Sequence, residues 1–146
     1  LCLCDWRYRK MRAQIDQRIC NGLNAEYQVG SSPVIEETKK QIEEYFNKQR
    51  QIFDIPIELV GTDFQKSVWN ALMKVPYGTT STYRQLAESV NNQKAVRAVA
   101  GANGANAIGV IIPCHRIIES NGGIGGYGGG VAVKKRLLRL ERGEAS

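Results

Sequence analysis

TYRQLAESVNNQKAVRAVAGA, residues 82–102, is the stretch whose reading decides the fold. Thr82 and Gln85 stand at capping-box spacing, and Leu86, Ala87 and Val90 follow at helical intervals. Asn91-Asn92 reads as a short turn. A second helix is expected from about Gln93 to Ala102, through Ala95, Val96, Ala98, Val99 and Ala100. Helix, short turn and a second helix rich in small residues is the outline of a helix-turn-helix. The small side chains sit beside Lys94 and Arg97, which suits close approach to a phosphate backbone. Arg97 read alone is a solvated surface charge.

Upstream, Thr62 and Gln65 form another capping-box signature. Phe64, Val68, Leu72 and Val75 make an apolar stripe that must stop before Pro76, and Tyr77-Gly78-Thr79-Thr80 is a turn. Further back, Ser32 caps and Pro33 opens a helix carrying Val34, Ile35, Ile42, Tyr45 and Phe46 to about Lys48. Ile55, Ile57 and Leu59 alternate as in a short strand. Leu1–Trp6 reads as the tail of a strand that starts earlier, and residues 5–28 give no clear assignment. Val60-Gly61 is the expected boundary: residues 1–61 form an α/β domain and residues 62–146 a mainly α domain.

Downstream, Gly104-Ala105-Asn106 leads into the apolar run Ile108-Gly109-Val110-Ile111-Ile112, expected to be a buried strand or strand-like segment. Pro113 ends it, and Cys114-His115-Arg116 follows. Residues 122–130 then hold seven glycines around Tyr127. No Gly-Lys-Ser/Thr follows, so this is not a P-loop; such a loop instead lines a pocket by close backbone approach. A closing helix is expected from Val131 to Arg142, with Val133, Leu137, Leu138 and Glu141 on neighbouring faces and Lys134, Lys135, Arg136, Arg139 and Arg142 crowding the rest.

The 146 residues are 42% hydrophobic and 23% charged, as in ordinary globular proteins. No run is long and apolar enough to cross a membrane, and the N-terminus does not resemble a signal peptide. Residues 1–61 carry nine basic and nine acidic side chains; residues 62–146 carry eleven and five, and so hold the whole net charge of +6. That asymmetry points to a polyanionic partner for the second half. Cys2, Cys4, Cys20 and Cys114 do not have the spacing of a disulfide scaffold or a zinc site, so no metal is expected.

A thiol attacks as its thiolate and needs a base or positive charge nearby. His115 is the only histidine in the chain. A base adjacent in sequence to its nucleophile acts best through a bridging water, and a carboxylate beyond the imidazole fixes its tautomer. The plain alternative is a buried core thiol beside a structural histidine.

At this point the sequence resembles the O6-alkylguanine-DNA alkyltransferases. Ile-Pro-Cys-His-Arg at 112–116, followed by a glycine-rich loop and a lysine-bearing helix, carries the resemblance. Phe64–Trp69, Val75–Gly78 and Tyr83–Ala87 match further family segments, and the likeness covers about Thr62 to Glu141. It implies a truncated N-terminal domain with a small RNase H-like sheet and a winged-helix-like C-terminal domain. It implies stoichiometric transfer of an alkyl group from O6 of guanine to Cys114, with His115 acting through a water and Glu141 orienting His115. Asn106 would brace the segment leading to the cysteine, and Tyr83 would donate to the leaving guanine. Arg97 would enter the base stack where the nucleotide swings out, with Lys94, Ala95, Ala98, Thr82 and Arg116 at the DNA surface of a minor-groove helix. Ile117, Tyr127, Gly128, Gly129 and Trp69 would shape the guanine pocket. Many members carry a serine where this chain has Gly128. No cofactor is implied. The expected partner is duplex DNA containing O6-alkylguanine, with no membrane and no obligate protein partner, for a monomer in a bacterial cytoplasm. A helix-turn-helix module that recognises alkylated or normal DNA without chemistry and a cysteine hydrolase are the competing readings; the second wants nucleophile and base far apart in sequence.

Overall fold

The computed structural model describes residues 1–144. It is mainly helical, with six α-helices and one two-stranded parallel sheet: α1 (Arg12–Leu23), α2 (Pro33–Phe46), α3 (Asp63–Leu72), β1 (Ser81–Thr82), α4 (Tyr83–Ser89), α5 (Val96–Gly104), β2 (Ile117–Ile118) and α6 (Val131–Glu141). Cys114–Arg116 forms a single 3₁₀ turn just before β2.

Local chemistry sets most boundaries. Both capping boxes form: Thr62 Oγ1 accepts from Gln65 N at the head of α3, and Thr82 Oγ1 from Gln85 N at the head of α4. Ser32 Oγ accepts from Ile35 N above Pro33 at the start of α2. That helix stops at Phe46 because Lys48 turns into the left-handed region at φ 61°. The second helix of the helix-turn-helix begins at Val96 rather than Gln93, since no side chain caps it and Ala95 is non-helical; Lys94 and Ala95 therefore lie in the turn. Residues 5–28 do hold a helix, α1, which buries only Ile15 and Ile19, one turn apart.

Three expected strands or strand-like segments do not form a ladder. Residues 55–59 make no ladder, in part because Pro56 has no N–H to donate. Leu1 nevertheless joins them, its amino group donating to the Pro56 carbonyl (2.8 Å) and its carbonyl accepting from Glu58 N (2.9 Å). On its other side the N-terminal segment makes only an isolated parallel bridge, Cys4 to Ile108. Residues 108–112 form a buried, tightly turned segment. Val110 stands there at φ 68°, an unusual conformation for a β-branched residue.

The main core joins α1, α3, α4 and α5 to the turned segment through Ile15, Ile19, Val68, Leu72, Leu86, Val99, Ile108 and Ile112. A second cluster of Tyr45, Val110 and Leu137 fastens α2 and α6 to that segment. β1 pairs with β2, Ser81 opposite Ile117 and Thr82 opposite Ile118. This pairing sets the head of α4 beside the end of the Cys114–Arg116 turn.

Candidate active site

Cys114 follows Pro113 at the floor of a cavity of about 800 Å³. Its sulfur accepts a hydrogen bond from Asn106 Nδ2 at 3.2 Å. The same amide nitrogen reaches the carbonyls of Ile108 (3.2 Å) and Ile112 (3.0 Å), while Oδ1 accepts from Ile108 N (3.0 Å). One buried asparagine thus fastens both ends of the turned segment and touches the thiol.

His115 is fully buried. Its Nε2 lies 2.7 Å from Glu141 Oε2, and among the described residues Nδ1 has no partner. Glu141 collects donors from four directions: His115, Tyr45 Oη (2.6 Å), the Arg116 fork (2.8 Å from Nε and 3.0 Å from Nη2) and Gly78 N (3.4 Å). Burial works to raise the pKa of its carboxyl, but bonds from His115, Arg116 and Tyr45 hold it at about 2. Burial pushes the Cys114 thiol up, opposed by Asn106 and by the charges of Arg9 and Lys134. Burial pushes the His115 imidazole down against the pull of Glu141. At neutral pH the arrangement is a thiol, a neutral imidazole and an ionised carboxylate.

Tyr83, at the head of α4, lines the same cavity, and burial pushes its phenol up. Tyr127, Gly128 and Gly129 form a further wall. The Tyr127 hydroxyl accepts from Trp6 Nε1 at 2.9 Å, and its ring stands edge-on to His115 with centroids 6.4 Å apart. Lys134 is fully buried and donates to the carbonyls of Ile117 (2.5 Å) and Gly126 (3.2 Å). Burial lowers its ammonium to about 8.

Three expected placements are corrected. Arg116 does not face solvent: it is buried, with Nη1 on the Val75 carbonyl at 2.7 Å and its remaining donors on Glu141. A buried carboxylate demands a counter-charge, and the planar guanidinium fork matches it. Trp69 does not line the cavity. It is 2% exposed in the main core, with Nε1 on the Ala102 carbonyl and Arg18 over its ring. Ile117, in β2, is fully buried and is not among the residues that line the cavity; its carbonyl accepts from Lys134.

On the outer face, Arg97 and Ala98 of α5 are exposed, as is Lys94 before it. Nothing stands within 4 Å of where a Cβ on Gly101 or Gly104 would be, so this face is flat and open. The Thr82 hydroxyl is engaged in its cap. Sequence reasoning placed Tyr45 only as apolar stripe and missed its hydroxyl's partner. It also missed the cavity wall supplied by Trp6–Met11. Among the described residues no three His, Cys, Asp or Glu side chains group at metal-binding spacing, and no helix is long and apolar enough to cross a membrane.

Two short helices joined by a turn, with an open small-residue face, and a buried Cys-His-Glu constellation define a mainly helical protein with a candidate thiol nucleophile. Comparison with known proteins specifies it. Residues 63–143 match the family described as 6-O-methylguanine DNA methyltransferase, DNA binding domain, and the chain belongs to that family. It is 49% identical over 105 residues to the methylated-DNA–protein-cysteine methyltransferase of Methanosarcina acetivorans, covering 72% of this chain and 67% of that one. The corresponding Haemophilus influenzae protein is 47% identical over 111 residues, covering 75% and 62%. The chain thus spans about two thirds of the length of these relatives. The crystal structure of Mycobacterium tuberculosis OGT in complex with DNA superposes with a TM-score of 0.74 at 43% identity, covering 76% of this chain and 69% of that one.

Proposed function

We propose that this protein repairs DNA directly, moving an alkyl group from O6 of guanine onto the sulfur of Cys114, once per molecule. The observation that carries the reading is the pair Asn106–Cys114 on the cavity wall, with Tyr83 on the same cavity and the buried pair His115–Glu141 at hydrogen-bond distance directly after the cysteine. In the reaction the thiol proton passes through a water to His115 Nδ1, and Glu141 stabilises the imidazolium that forms. The thiolate attacks the alkyl carbon; the S–C bond forms as the C–O6 bond breaks, and the electron pair leaves with guanine. Tyr83 gives its proton to the leaving guanine as the ring's charge grows, and the proton held on His115 passes by way of water to the Tyr83 oxygen, so guanine leaves neutral and both side chains end as they began. The thioether has no ready hydrolysis, so the protein is consumed.

Stacked inside a duplex, O6 is out of reach for in-line attack, so the nucleotide is extruded. The open face of α5 lies in the minor groove, Lys94, Ala95 and Ala98 approach the backbone, and Arg97 takes the vacated place in the stack. The main chain of Gly128 and Gly129 edges the pocket, with Arg9 and Trp6 in the space that side chains there would take, and Tyr127 closes it. α4 and α5 serve as the helix-turn-helix of a winged-helix-like unit. Residues 1–61 form the other domain, a reduced RNase H-like one.

The test is a duplex with one O6-methylguanine, incubated with the protein and followed by intact mass and peptide mapping. One methyl group on Cys114, saturating at one per molecule and lost in Cys114→Ala, is the expected result. Unchanged mass with tight lesion-selective binding would replace this reading with a non-catalytic one.

A further inference from the structure

The segment before α1 sends one cation into the cavity wall in surroundings unlike those of its neighbours. Arg7 and Lys10 are exposed, whereas the Arg9 side chain is 6% exposed and that of its partner Asp5 is fully buried. Arg9 Nη1 donates to Asp5 Oδ1 at 2.9 Å and to the Asn106 carbonyl at 3.2 Å, and Nη2 donates to the Gly104 carbonyl. The guanidinium lies directly over Gly128. A Cβ at that position would stand 2.5 Å from Cζ, 2.6 Å from Nε and 2.8 Å from Nη1. Gly128 does not have a positive φ, so a side chain there would displace the Arg9 guanidinium and not strain the backbone.

We propose that Arg9 is a positioning residue of the alkyl-acceptor site, its guanidinium filling the volume that a side chain at 128 would otherwise take. The inference rests on the alkyl-transfer reading above. Arg9 braces the main chain of Asn106, whose side chain bonds the Cys114 sulfur. Its guanidinium, paired with the buried Asp5, lines the same cavity as Cys114, and a positive charge there favours the thiolate. The charge of Arg9 pulls the thiol down against burial. Gly128 and Arg9 are therefore one device drawn from opposite ends of the sequence.

A double-mutant cycle tests it, with R9A, G128S and the double variant, each checked for cooperative melting. Two readouts are taken: the single-turnover rate of methyl transfer, and the pH midpoint of Cys114 modification by iodoacetamide, followed by peptide mass. R9A should slow transfer roughly tenfold and raise the midpoint by about one pH unit. G128S should do the same by displacing the guanidinium, and the double variant should be no slower than R9A. R9Q, which keeps a hydrogen-bonding side chain without charge, should raise the midpoint as R9A does and serves if R9A fails to fold. Wild-type rate and midpoint in these variants, or effects of R9A and G128S that multiply in the double variant, would overturn the proposal. A wild-type protein that transfers no methyl group while its iodoacetamide midpoint follows Arg9 would sink the alkyl-transfer reading and leave the Arg9–Gly128 coupling standing.

Discussion

Tyr45 and Glu141 lie 96 residues apart and share a buried hydrogen bond of 2.6 Å. It ties the middle of the N-terminal half to the carboxylate that also holds His115 and Arg116. Both Tyr45 and His115 meet the same oxygen, Oε2. The donor from α2 therefore tempers how strongly that oxygen supports the imidazole. Tyr45→Phe keeps the ring and deletes the donor. It should lower stability by about 1.5–3 kcal/mol, the range for a hydrogen bond to a charged group, measured by urea unfolding. It should also move the pH profile of methyl transfer while leaving affinity for duplex DNA unchanged. An unmoved profile would reduce Tyr45 to a packing residue.

Arg97 and Arg116 should separate cleanly. Arg97 is exposed on α5, so Arg97→Ala should change stability by less than about 0.5 kcal/mol. It should slow repair of duplex DNA more than reaction with a free alkylguanine base. Equal slowing of both substrates would end its proposed role in the stack.

Arg116→Ala removes the counter-charge of a buried carboxylate and should destabilise by about 3–5 kcal/mol. The salt dependence of DNA binding, which reports phosphate contacts, should keep its slope. A slope reduced by about one would return Arg116 to the DNA surface.

Glu141 sets an acid limit. Its folded-state value of about 2 lies below its ordinary value of 4.5. The stabilisation is thus fully present above pH 4.5 and is lost as pH falls toward 2. The difference corresponds to about 3 kcal/mol. Urea unfolding at a series of acidic pH values should show the wild type losing stability through this window. Glu141→Gln should be less stable at neutral pH and flatter below it. A wild-type protein as stable at pH 2.5 as at pH 5 would contradict the assignment.

Trp69→Phe should cost about 1 kcal/mol by deleting the bond to the Ala102 carbonyl. Lesion affinity should not change, since Trp69 is a core residue beneath α5 and not a pocket wall. Weakened lesion binding at unchanged stability would put it back in the pocket.

What the sequence made legible was local. The boxes at Thr62 and Thr82 act within four residues, so the starts of α3 and α4 were readable from residue types alone. Pro113-Cys114-His115 marked the chemistry, and Glu141 was placed beyond His115 through family resemblance. What could not be read depends on what surrounds a side chain after folding. Arg116 and Lys134 look like surface cations in sequence, yet both are buried against groups 25 and 17 residues away. Helix α1 escaped notice because two isoleucines are too few for a periodic signal. Arg9 and Gly128 have meaning only as a pair, and nothing local to either residue announces the other.

Val110 places two opposed demands on one position. Its side chain fills the cluster with Tyr45 and Leu137, while its backbone occupies a region where glycine or asparagine is at ease. Glycine would relax the main chain and open a hole; any branched apolar residue would close the hole and keep the strain. Neutral drift at 110 is therefore confined to a few residues. A search for heat-hardened variants should leave this site alone, because the substitution that eases the chain also loosens the mount of the cysteine four residues on.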